Sequence, residues 1–545
     1  MNQTFELSSP RSLDDLLKRN HTILGGIVNG IDGQIIDIQA RAVRKVDKIL
    51  RKAYDWRELV RISGMAKNVT REALDRITGA FLALRIPVTP VEILVNLTPP
   101  DLNKDGTWLD LPLAIILLQA AGFLPDFPDH LESDFVLIGE IGLHGEIRRV
   151  PGALSIALKL RSGQHIFIPT GNEKEVALIR SKPGHESSGI YSFGLLEHVI
   201  GFFSKTRSLS EHSVGGKLKF TPAITRAPDF GRVKGQTEAK KAALIAAAGG
   251  HNILLFGPPG EGKSLLASAI PGIMPQLSDE EKVEITKIYS AAGELERDGM
   301  IVNRRPYRVV QSTASKQALI GGGTGIPKPG AITLAHLGIL FLDEFAEFAT
   351  SVLDALRQSM ETGSVTLTKA GYSATYPARF TLVAAMNPCP CGYAPSEKCT
   401  CSEKAIARYL SKISGPIVDR IDLHVELKPL SVEERFASTA DVESSKMIEQ
   451  VESARELQRR RYQGTNIPFN AAIPGGQVFD YCHFTENAFE TLKSIVENGT
   501  MSTRTMDRIA KVSRTIADLA NSTDIETKHV EQSANYFGKS MLRKM

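Results

Sequence analysis

The sequence predicts an α/β fold in three parts: an N-terminal α/β domain, a central domain on a parallel sheet, and a helical C-terminal domain. A glycine-rich loop at 257–264 stands between an apolar run and a helical segment, which gives the order strand, loop, helix. From 222 to 430, strand-like and helix-like segments alternate in the manner of βαβ units, whose strands run parallel. From 431 onward, apolar residues recur with the 3.6-residue period of helices.

The chain has 545 residues, more than one hydrophobic core usually supports, so we expect about three domains. We place an N-terminal domain at 1–205, a linker rich in serine, lysine and glycine at 206–221, a central domain at 222–430 and a C-terminal domain at 431–545. In the N-terminal domain the predicted strands are Val91–Leu97, Phe135–Gly139 and His165–Pro169, and the predicted helices are Leu111–Ala121 and Gly152–Leu160. In the C-terminal domain the predicted helices are Asp441–Tyr462, Thr485–Glu497, Thr503–Asn521 and Glu526–Phe537.

The composition is that of a globular protein, and its net charge of +4 permits a polyanionic partner without arguing for one. No apolar run reaches the length of about 18 residues that a transmembrane helix needs. The first twenty residues mix acids and bases without the apolar stretch of a secretory signal. We therefore expect a cytoplasmic protein with no membrane partner.

The loop at 257–264 has the G-x-x-x-x-G-K-[ST] spacing of a P-loop. Glycines let backbone N–H groups approach phosphate oxygens, and the helix that follows adds free N–H groups and a positive dipole end. Lys263 can reach the β- and γ-phosphates, and the Ser264 hydroxyl can ligate Mg²⁺. An ordinary tight turn does not explain why lysine and serine follow the last glycine. The sequence predicts that a nucleoside triphosphate binds Gly257, Pro258, Pro259, Gly260, Glu261, Gly262, Lys263 and Ser264, and that Ser264 also ligates its Mg²⁺.

Further polar residues end two other predicted buried strands. Asp343 and Glu344 follow the apolar run 339–342, where Asp343 can hold the Mg²⁺ shell and Glu344 can polarise the attacking water. Asn387 ends the run 380–386, and it fits a group that orients this water or contacts the γ-phosphate. The sequence therefore predicts hydrolysis as well as binding.

Arg420 stands between two acids, Asp419 and Asp422. An isolated arginine there would normally form a surface ion pair. In an oligomeric ATPase it can reach the γ-phosphate of the neighbouring subunit, and such an arginine finger is worth about 10³–10⁵ in rate.

These motifs resemble those of AAA+ ATPases of the magnesium-chelatase-like group, and most of all the ComM/YifB proteins, taken to be hexameric DNA branch-migration helicases associated with competence. The resemblance covers nearly the whole chain. It implies a homohexamer that remodels branched or single-stranded DNA, with Asn387 as sensor 1, Arg420 as arginine finger and Arg504 as sensor 2 that reaches the nucleotide from a helical lid. The resemblance is carried by Val233–Gln236, the P-loop, Gly338–Glu344, Met386–Gly392 and Asp419–Asp422.

The chain departs from the family pattern at one place. After Arg305–Arg308 the family usually has Pro-His-His, whereas this chain has Val310, Gln311 and Ser312. Because these residues lie outside the nucleotide motifs, we expect the change to affect substrate handling more than ATP binding.

Four of the five cysteines lie between 389 and 401, which suggests metal or loop chemistry rather than disulfides. Four thiolates on one loop could hold a structural Zn²⁺. The C-x-C spacing strains two ligands onto one metal, so four reduced cysteines in a packed loop are an equal alternative. The four are Cys389, Cys391, Cys399 and Cys401.

The N-terminal domain contains two segments, Asn103–Pro112 and Gly145–Gly152, that resemble those around the serine and lysine of Lon-type proteases. That dyad needs a hydroxyl and an amine in contact. Trp108 stands where those proteases have serine, and residues 150–158 contain no lysine. The resemblance implies a Lon-like scaffold, and we expect no peptidase activity.

Two functions remain open. The first is a ring motor that acts on DNA, with Lys316, Lys328 and Lys369 as candidate pore residues. The second is a chelatase-type ATPase that remodels a protein partner. Chelatase subunits are expected to resemble this chain only in its central and C-terminal parts, so the N-terminal domain favours the motor.

Overall fold

The computed structural model describes residues 13–46, 55–89, 91–99, 102, 104, 106–125, 134–215, 227–295, 301–323, 327–369, 372–413, 415–436, 443–499 and 501–538. Within these residues, no helix has both the length and the apolar character to cross a membrane.

The N-terminal region is built on a seven-stranded mixed sheet in the order β3-β4-β2-β1-β5-β8-β9. A long antiparallel hairpin, β1–β2, forms its centre, and β5, β8 and β9 add parallel strands on one side. Helix α4 is buried at every residue because it is apolar all round. The strands are β1 (Asn20–Asn29), β2 (Asp32–Lys45), β3 (Val60–Ser63), β4 (Val91–Thr98), β5 (Phe135–Leu137), β6 (Glu140–Ile141), β7 (Ile147–Arg148), β8 (His165–Pro169) and β9 (Ile190–Phe193). The helices are α1 (Leu13–Leu16), α2 (Trp56–Leu59), α3 (Lys67–Ala83), α4 (Asp110–Ala120), α5 (Ala153–Ala157), α6 (Glu173–Val176) and α7 (Leu196–Phe203).

The predicted linker is partly described. Val214 donates its N–H to the carbonyl of Ile190 in β9, and the His212 ring stacks on Phe193. The first part of the segment 206–221 therefore packs on the N-terminal sheet, whereas 216–221 lies outside the described residues.

The central region contains a five-stranded parallel sheet in the order β11-β14-β17-β10-β18. Its three inner strands, β10, β14 and β17, are buried at every residue, which explains their apolar runs, and the edge strand β18 is buried except at Glu426. Two small hairpins, β12–β13 and β15–β16, lie outside the sheet. The strands are β10 (Ile253–Phe256), β11 (Tyr307–Val310), β12 (Gly321–Gly322), β13 (Lys328–Pro329), β14 (Ile339–Leu342), β15 (Ser364–Lys369), β16 (Tyr372–Pro377), β17 (Thr381–Met386) and β18 (Leu423–Glu426). The helices are α8 (Thr237–Gly249), α9 (Lys263–Ala269), α10 (Asp279–Ala292), α11 (Lys316–Ile320), α12 (Ala331–Leu334), α13 (Thr350–Thr362), α14 (Glu403–Leu410) and α15 (Gly415–Val418).

The C-terminal region is helical, as the sequence predicts. Its apolar side chains join one core with α8 and one face of the parallel sheet. The helices are α16 (Val432–Phe436), α17 (Glu443–Arg461), α18 (Val478–Tyr481), α19 (Glu486–Asn498), α20 (Thr503–Leu519) and α21 (Thr527–Gly538).

Helix α10 joins the N-terminal region to the central one. The N–H of Gly152, just before α5, donates to both the carbonyl and the hydroxyl of Ser290 at 3.0 Å. The same hydroxyl donates to the buried carboxylate of Glu175, and Lys287 pairs with Asp32 at 2.5 Å. The central parallel sheet is therefore attached to the N-terminal sheet by polar contacts as well as by packing.

Candidate active site

The P-loop follows β10 at the carboxyl edge of the parallel sheet. Gly260 and Gly262 have φ angles of +83° and +87°, a left-handed backbone that favours glycine. A Cβ built on either residue would meet no atom within 4 Å, so the loop is open on the side that these positions face. The loop thus has the left-handed glycines and the open side that are expected of a P-loop.

Lys263 lies at the centre of this loop and is 9% exposed. Its Nζ donates to the carbonyls of Gly257 at 2.7 Å and Pro258 at 2.8 Å, and to Oδ1 of Asn387 at 3.1 Å. Burial lowers the pKa of Lys263. The structure thus brings Lys263 of the P-loop into direct contact with Asn387, which follows β17.

The two predicted acids lie beside the P-loop, because β14 ends at the same edge of the sheet as β10. The Ser264 hydroxyl donates to Oδ2 of Asp343 at 3.0 Å, the arrangement expected of two residues that share one Mg²⁺ shell. Glu344 has a φ of +54°, and its N–H donates to Oδ1 of Asp343 at 2.9 Å. The Glu344 side chain is exposed, so a water molecule can reach it.

Ser312, which replaces a family histidine, is close to these acids. Its hydroxyl donates to Oε2 of Glu344 at 3.0 Å. The reason is strand order, since β11 is the neighbour of β14 and both strands end at this edge. Ser312 thus lies beside the nucleotide motifs in space although it lies outside them in the sequence, and the expectation that the departure affects substrate handling more than ATP binding stays a prediction. Sequence reasoning missed this residue because strand order is not visible in a local pattern.

Arg420 lies at the opposite edge of the sheet from the P-loop of its own chain. Its carbonyl accepts a hydrogen bond from Asn252, just before β10, whereas the P-loop starts after β10, roughly 13 Å further along the strand. Its guanidinium forms an ion pair with Glu361, near the end of α13, and donates to the carbonyl of Pro416. The side chain is 8% exposed.

Arg504 and Arg357 join Arg420 in this cluster. Arg504 Nη2 lies 3.8 Å from Oε1 of Glu361, the same carboxylate oxygen that Arg420 contacts. Burial lowers the pKa of Arg420, and the positive charges of Arg504 and Arg357 lower it further. We call Arg357, Arg420 and Arg504 the arginine cluster. Among the described residues, the guanidinium groups of Arg420 and Arg504 contact the Glu361 carboxylate, and the positive charge of Arg357 acts on Arg420.

The position of Arg504 bears on its role as sensor 2, which stays a prediction. Arg504 does not cover the P-loop of its own chain but lies beside Arg420 at the other edge of the sheet. It is also the exposed arginine of the first turns of α20, at 56%, whereas Arg508 and Arg514 are buried in ion pairs with Asp422 and Asp518. Arg504 thus differs from Arg508 and Arg514, because its side chain is exposed and theirs are buried.

The four cysteines of the loop after β17 come together. Their Sγ atoms all lie within 4.8 Å of one another, and none of them forms a disulfide. The spacing of the cysteines in the sequence left zinc and reduced thiols as equal alternatives. The close grouping of the four Sγ atoms favours a metal site.

Comparison with known proteins agrees with these motifs. The family model described as magnesium chelatase, subunit ChlI, matches residues 229–435, its C-terminal counterpart matches 441–536, and a model described as subunit ChlI of Mg-chelatase matches 54–172. The protein YifB of Escherichia coli, which is described as uncharacterised, is 38% identical over 479 residues, covering 87% of this chain and 90% of that protein. The competence protein ComM of Haemophilus influenzae is 36% identical over 491 residues, covering 88% of this chain and 92% of ComM.

The chain belongs to the magnesium-chelatase-like AAA+ family, in the group of ComM and YifB. A magnesium-chelatase 38 kDa subunit from Rhodobacter capsulatus is 29% identical over 177 residues, which cover 29% of this chain and 50% of that subunit. A family model described as subunit ChlI also matches the N-terminal residues 54–172, whereas the Rhodobacter capsulatus subunit itself covers 29% of this chain. The expectation that chelatase subunits resemble this chain only in its central and C-terminal parts stays a prediction.

In this AAA+ chain the candidate DNA-contacting lysines lie on the small hairpins or next to them. Lys316 begins α11, and Lys328 lies on β13 opposite Gly322 of β12. Both side chains are exposed. Lys369 ends β15, and its side chain lies outside the described residues.

The two segments that resemble a protease dyad meet in the N-terminal region. Trp108 Nε1 donates to the carbonyl of Pro151 at 2.6 Å, and the ring is 9% exposed. Asn103 and Asp105 of the first segment lie outside the described residues. The indole of Trp108 thus fills the place where the resemblance puts a nucleophile.

A buried ion pair stabilises this region. Arg76 of α3 contacts both carboxylate oxygens of Asp110, the first residue of α4, at 2.6 and 2.9 Å, and the N–H of Ile141 donates to the same group at 3.2 Å. The Asp110 side chain is 1% exposed. Burial raises the pKa of Asp110 to about 6, although the pairing with Arg76 acts in the opposite direction.

We expect Arg76→Met to destabilise the N-terminal region by about 3–5 kcal/mol, because it leaves the Asp110 charge buried and unpaired. Urea unfolding followed by tryptophan fluorescence measures this, since the two tryptophans, Trp56 and Trp108, are both buried here. Arg57→Met is the matched control, because its pair with Asp75 is solvent-exposed and should matter little. Equal effects of the two substitutions would contradict this explanation.

Proposed function

We propose that this protein is a Mg²⁺-dependent AAA+ ATPase that forms a cytoplasmic homohexameric ring and uses ATP hydrolysis to remodel DNA. The eight residues of the P-loop hold ATP, with Lys263 on the β- and γ-phosphates. Ser264 and Asp343 hold Mg²⁺. Glu344 polarises the attacking water and Asn387 orients it. Four contacts support this assignment: Lys263–Asn387, Ser264–Asp343, Glu344–Asp343 and Ser312–Glu344.

The arginine cluster is the observation that supports the proposed homohexameric ring. Two guanidinium groups on one carboxylate, with the positive charge of Arg357 nearby, leave an excess of positive charge, which suits a phosphate group from outside the chain. The cluster lies at the edge of the sheet away from this chain's own P-loop. We propose that Arg420 and Arg504 contact the γ-phosphate bound by the neighbouring subunit, and that Glu361 is their counter-ion when no neighbour is present.

DNA is the proposed substrate for two reasons. The ComM relative is named for competence, and it covers 88% of this chain. The exposed Lys316 and Lys328 provide positive charge close to two hairpins that project from the parallel sheet. We propose branch migration or a related helicase activity on branched or single-stranded DNA. The alternative, a chelatase-type ATPase that remodels a protein, has the support of the three family models.

ATPase turnover with and without four-way junction DNA tests this proposal. We expect junction DNA to raise turnover, and the stimulation to fall steeply between about 50 and 200 mM salt because phosphate contacts release counterions. Lys263→Ala should abolish turnover under both conditions. Lys316→Glu combined with Lys328→Glu should weaken the stimulation and leave basal turnover unchanged.

Lys159→Glu with Lys174→Glu is the matched control for the double substitution. It makes the same charge change at exposed positions of the N-terminal region. Turnover that no DNA stimulates, at any salt concentration, would contradict the DNA motor and favour a protein partner. Proteolysis of an unfolded substrate would revive the protease that Trp108 argues against.

We also propose that Cys389, Cys391, Cys399 and Cys401 hold one structural zinc ion. The supporting observation is that a tetrahedral ion with bonds of about 2.3 Å needs sulfur–sulfur distances of about 3.8 Å. The Sγ atoms of Cys389, Cys391 and Cys399 lie 3.3, 3.6 and 3.8 Å apart, and that of Cys401 lies within 4.8 Å of all three.

A further inference from the structure

The cysteine loop has the features of a site for a single metal ion. All four Sγ atoms lie within 4.8 Å of one another, a spacing that fits one ion rather than a multinuclear cluster. A backbone N–H group also points at one of the sulfurs, because Ala394 donates to Cys389 Sγ at 3.3 Å. Such donors stabilise negative charge on sulfur, as thiolate ligands require.

The loop has no regular secondary structure. Between Cys389 and Cys401 the chain forms turns and bends, with no helix or strand. Tyr393, Ser396 and Glu397 are exposed, whereas Cys389 and Ala394 are buried. A metal ion held by four side chains of such a segment is a cross-link that fixes its conformation.

The loop packs directly on the nucleotide motifs. A Cβ added to Gly392 would lie 2.9 Å from Cδ of Pro259 in the P-loop and 3.8 Å from Cγ of Asn387. Gly392 also has a φ of +89°, a conformation that other residues rarely adopt. Asn387 in turn accepts a hydrogen bond from Lys263 and stands two residues before Cys389. A metal at the cysteines is thus connected to the P-loop lysine through Asn387, which lies two residues from Cys389 and contacts Lys263.

We infer that zinc bound by the four cysteines holds this loop against Pro259, fixes the position of Asn387 and thereby sets the rate of ATP hydrolysis. Asn387 is the residue that acts on the nucleotide, and the zinc-bound loop is a positioning element behind it. Zinc loss moves Asn387 but leaves most P-loop contacts to ATP intact. Turnover therefore falls more than affinity does. This inference rests on the proposed ATPase activity and is independent of DNA.

The test compares zinc content, ATP affinity and kcat in the full-length protein. We expect about one zinc per chain in the wild type and almost none after Cys391→Ser with Cys401→Ser. That variant should lose about ten- to a hundredfold in kcat, the effect of a displacement near 1 Å, while its affinity for a fluorescent ATP analogue changes by less than about threefold. Lys398→Ala, at an exposed position of the same loop, is the matched control.

Two further measurements keep the test independent of folding. Gly392→Ala leaves every ligand in place, so it should retain zinc and still lower kcat through its contact with Pro259. Zinc removed from the wild type with a mercurial reagent and a chelator, and then restored with a thiol and zinc, should first lower and then recover turnover. Absence of zinc from protein prepared with added zinc would overturn the inference, as would replacement of zinc by an iron cluster.

Equal turnover with and without zinc would contradict this inference alone. A wild-type chain that binds zinc but hydrolyses no ATP would contradict the proposed ATPase, and this inference with it.

Discussion

Glu344→Gln is expected to lower kcat for ATP hydrolysis by about 10²–10⁴, the usual contribution of a general base. The substitution keeps the shape of the side chain and its contact with Ser312, so ATP should still bind. Glu344 is the exposed carboxylate next to Asp343 at the end of β14, where a water attacking the γ-phosphate would stand. Steady-state turnover and equilibrium binding of a fluorescent ATP analogue separate the two effects.

Glu347→Gln is the matched control for this change. Glu347 lies three residues further on, is exposed, and pairs with Lys412 on the surface at 2.8 Å. We expect its turnover to stay close to that of the wild type. If Glu344→Gln hydrolysed ATP within about tenfold of the wild-type rate, another group would be the base.

Arg420→Ala is expected to lower kcat by about 10³–10⁵, as removal of an arginine finger does. The P-loop of the altered chain is untouched, because Arg420 lies at the opposite edge of the sheet. ATP affinity measured on isolated chains should therefore be unchanged. Arg504→Ala should act in the same direction, since both guanidinium groups face Glu361.

Arg460→Ala provides the control for the loss of an arginine. Its side chain is 74% exposed and pairs with Glu456 on the same helix, α17. Size-exclusion chromatography of each variant with ATP establishes whether the oligomer still forms, because Arg420 could also contribute to assembly. A loss of turnover in monomers alone, with normal turnover in every assembled ring, would show that Arg420 acts on assembly and not on chemistry.

Local features of the fold were predictable from the sequence. The strand at His165–Pro169 has the predicted limits, and the helix predicted at Thr503–Asn521 spans Thr503–Leu519. Periodicity is a property of neighbouring residues, so it is preserved in the sequence. The β1–β2 hairpin, at 20–45, was not predicted: β1 is buried almost without interruption and so shows no alternation, whereas buried and exposed residues do alternate along β2 from Ile36 to Val43, a signal that was missed.

Contacts between distant residues were not predictable in the same way. Ser312 reaches Glu344 only because β11 is next to β14, and Glu361 meets Arg420 only because α13 ends near the start of β18. The motifs did predict that Lys263, Asp343 and Asn387 converge, since parallel strands bring their carboxyl ends to one edge. What they could not predict was that Arg504 lies with Arg420 rather than over its own P-loop.

The most direct test of the central claim mixes two inactive chains, Lys263→Ala and Arg420→Ala. The first cannot bind ATP but presents an intact Arg420, and the second binds ATP but lacks the arginine. If Arg420 acts on the neighbour's nucleotide, random mixing at equal amounts creates a complete site at about one interface in four, and turnover reappears. If Arg420 acts only within its own chain, no interface is complete, and the mixture will be no more active than the two variants measured separately.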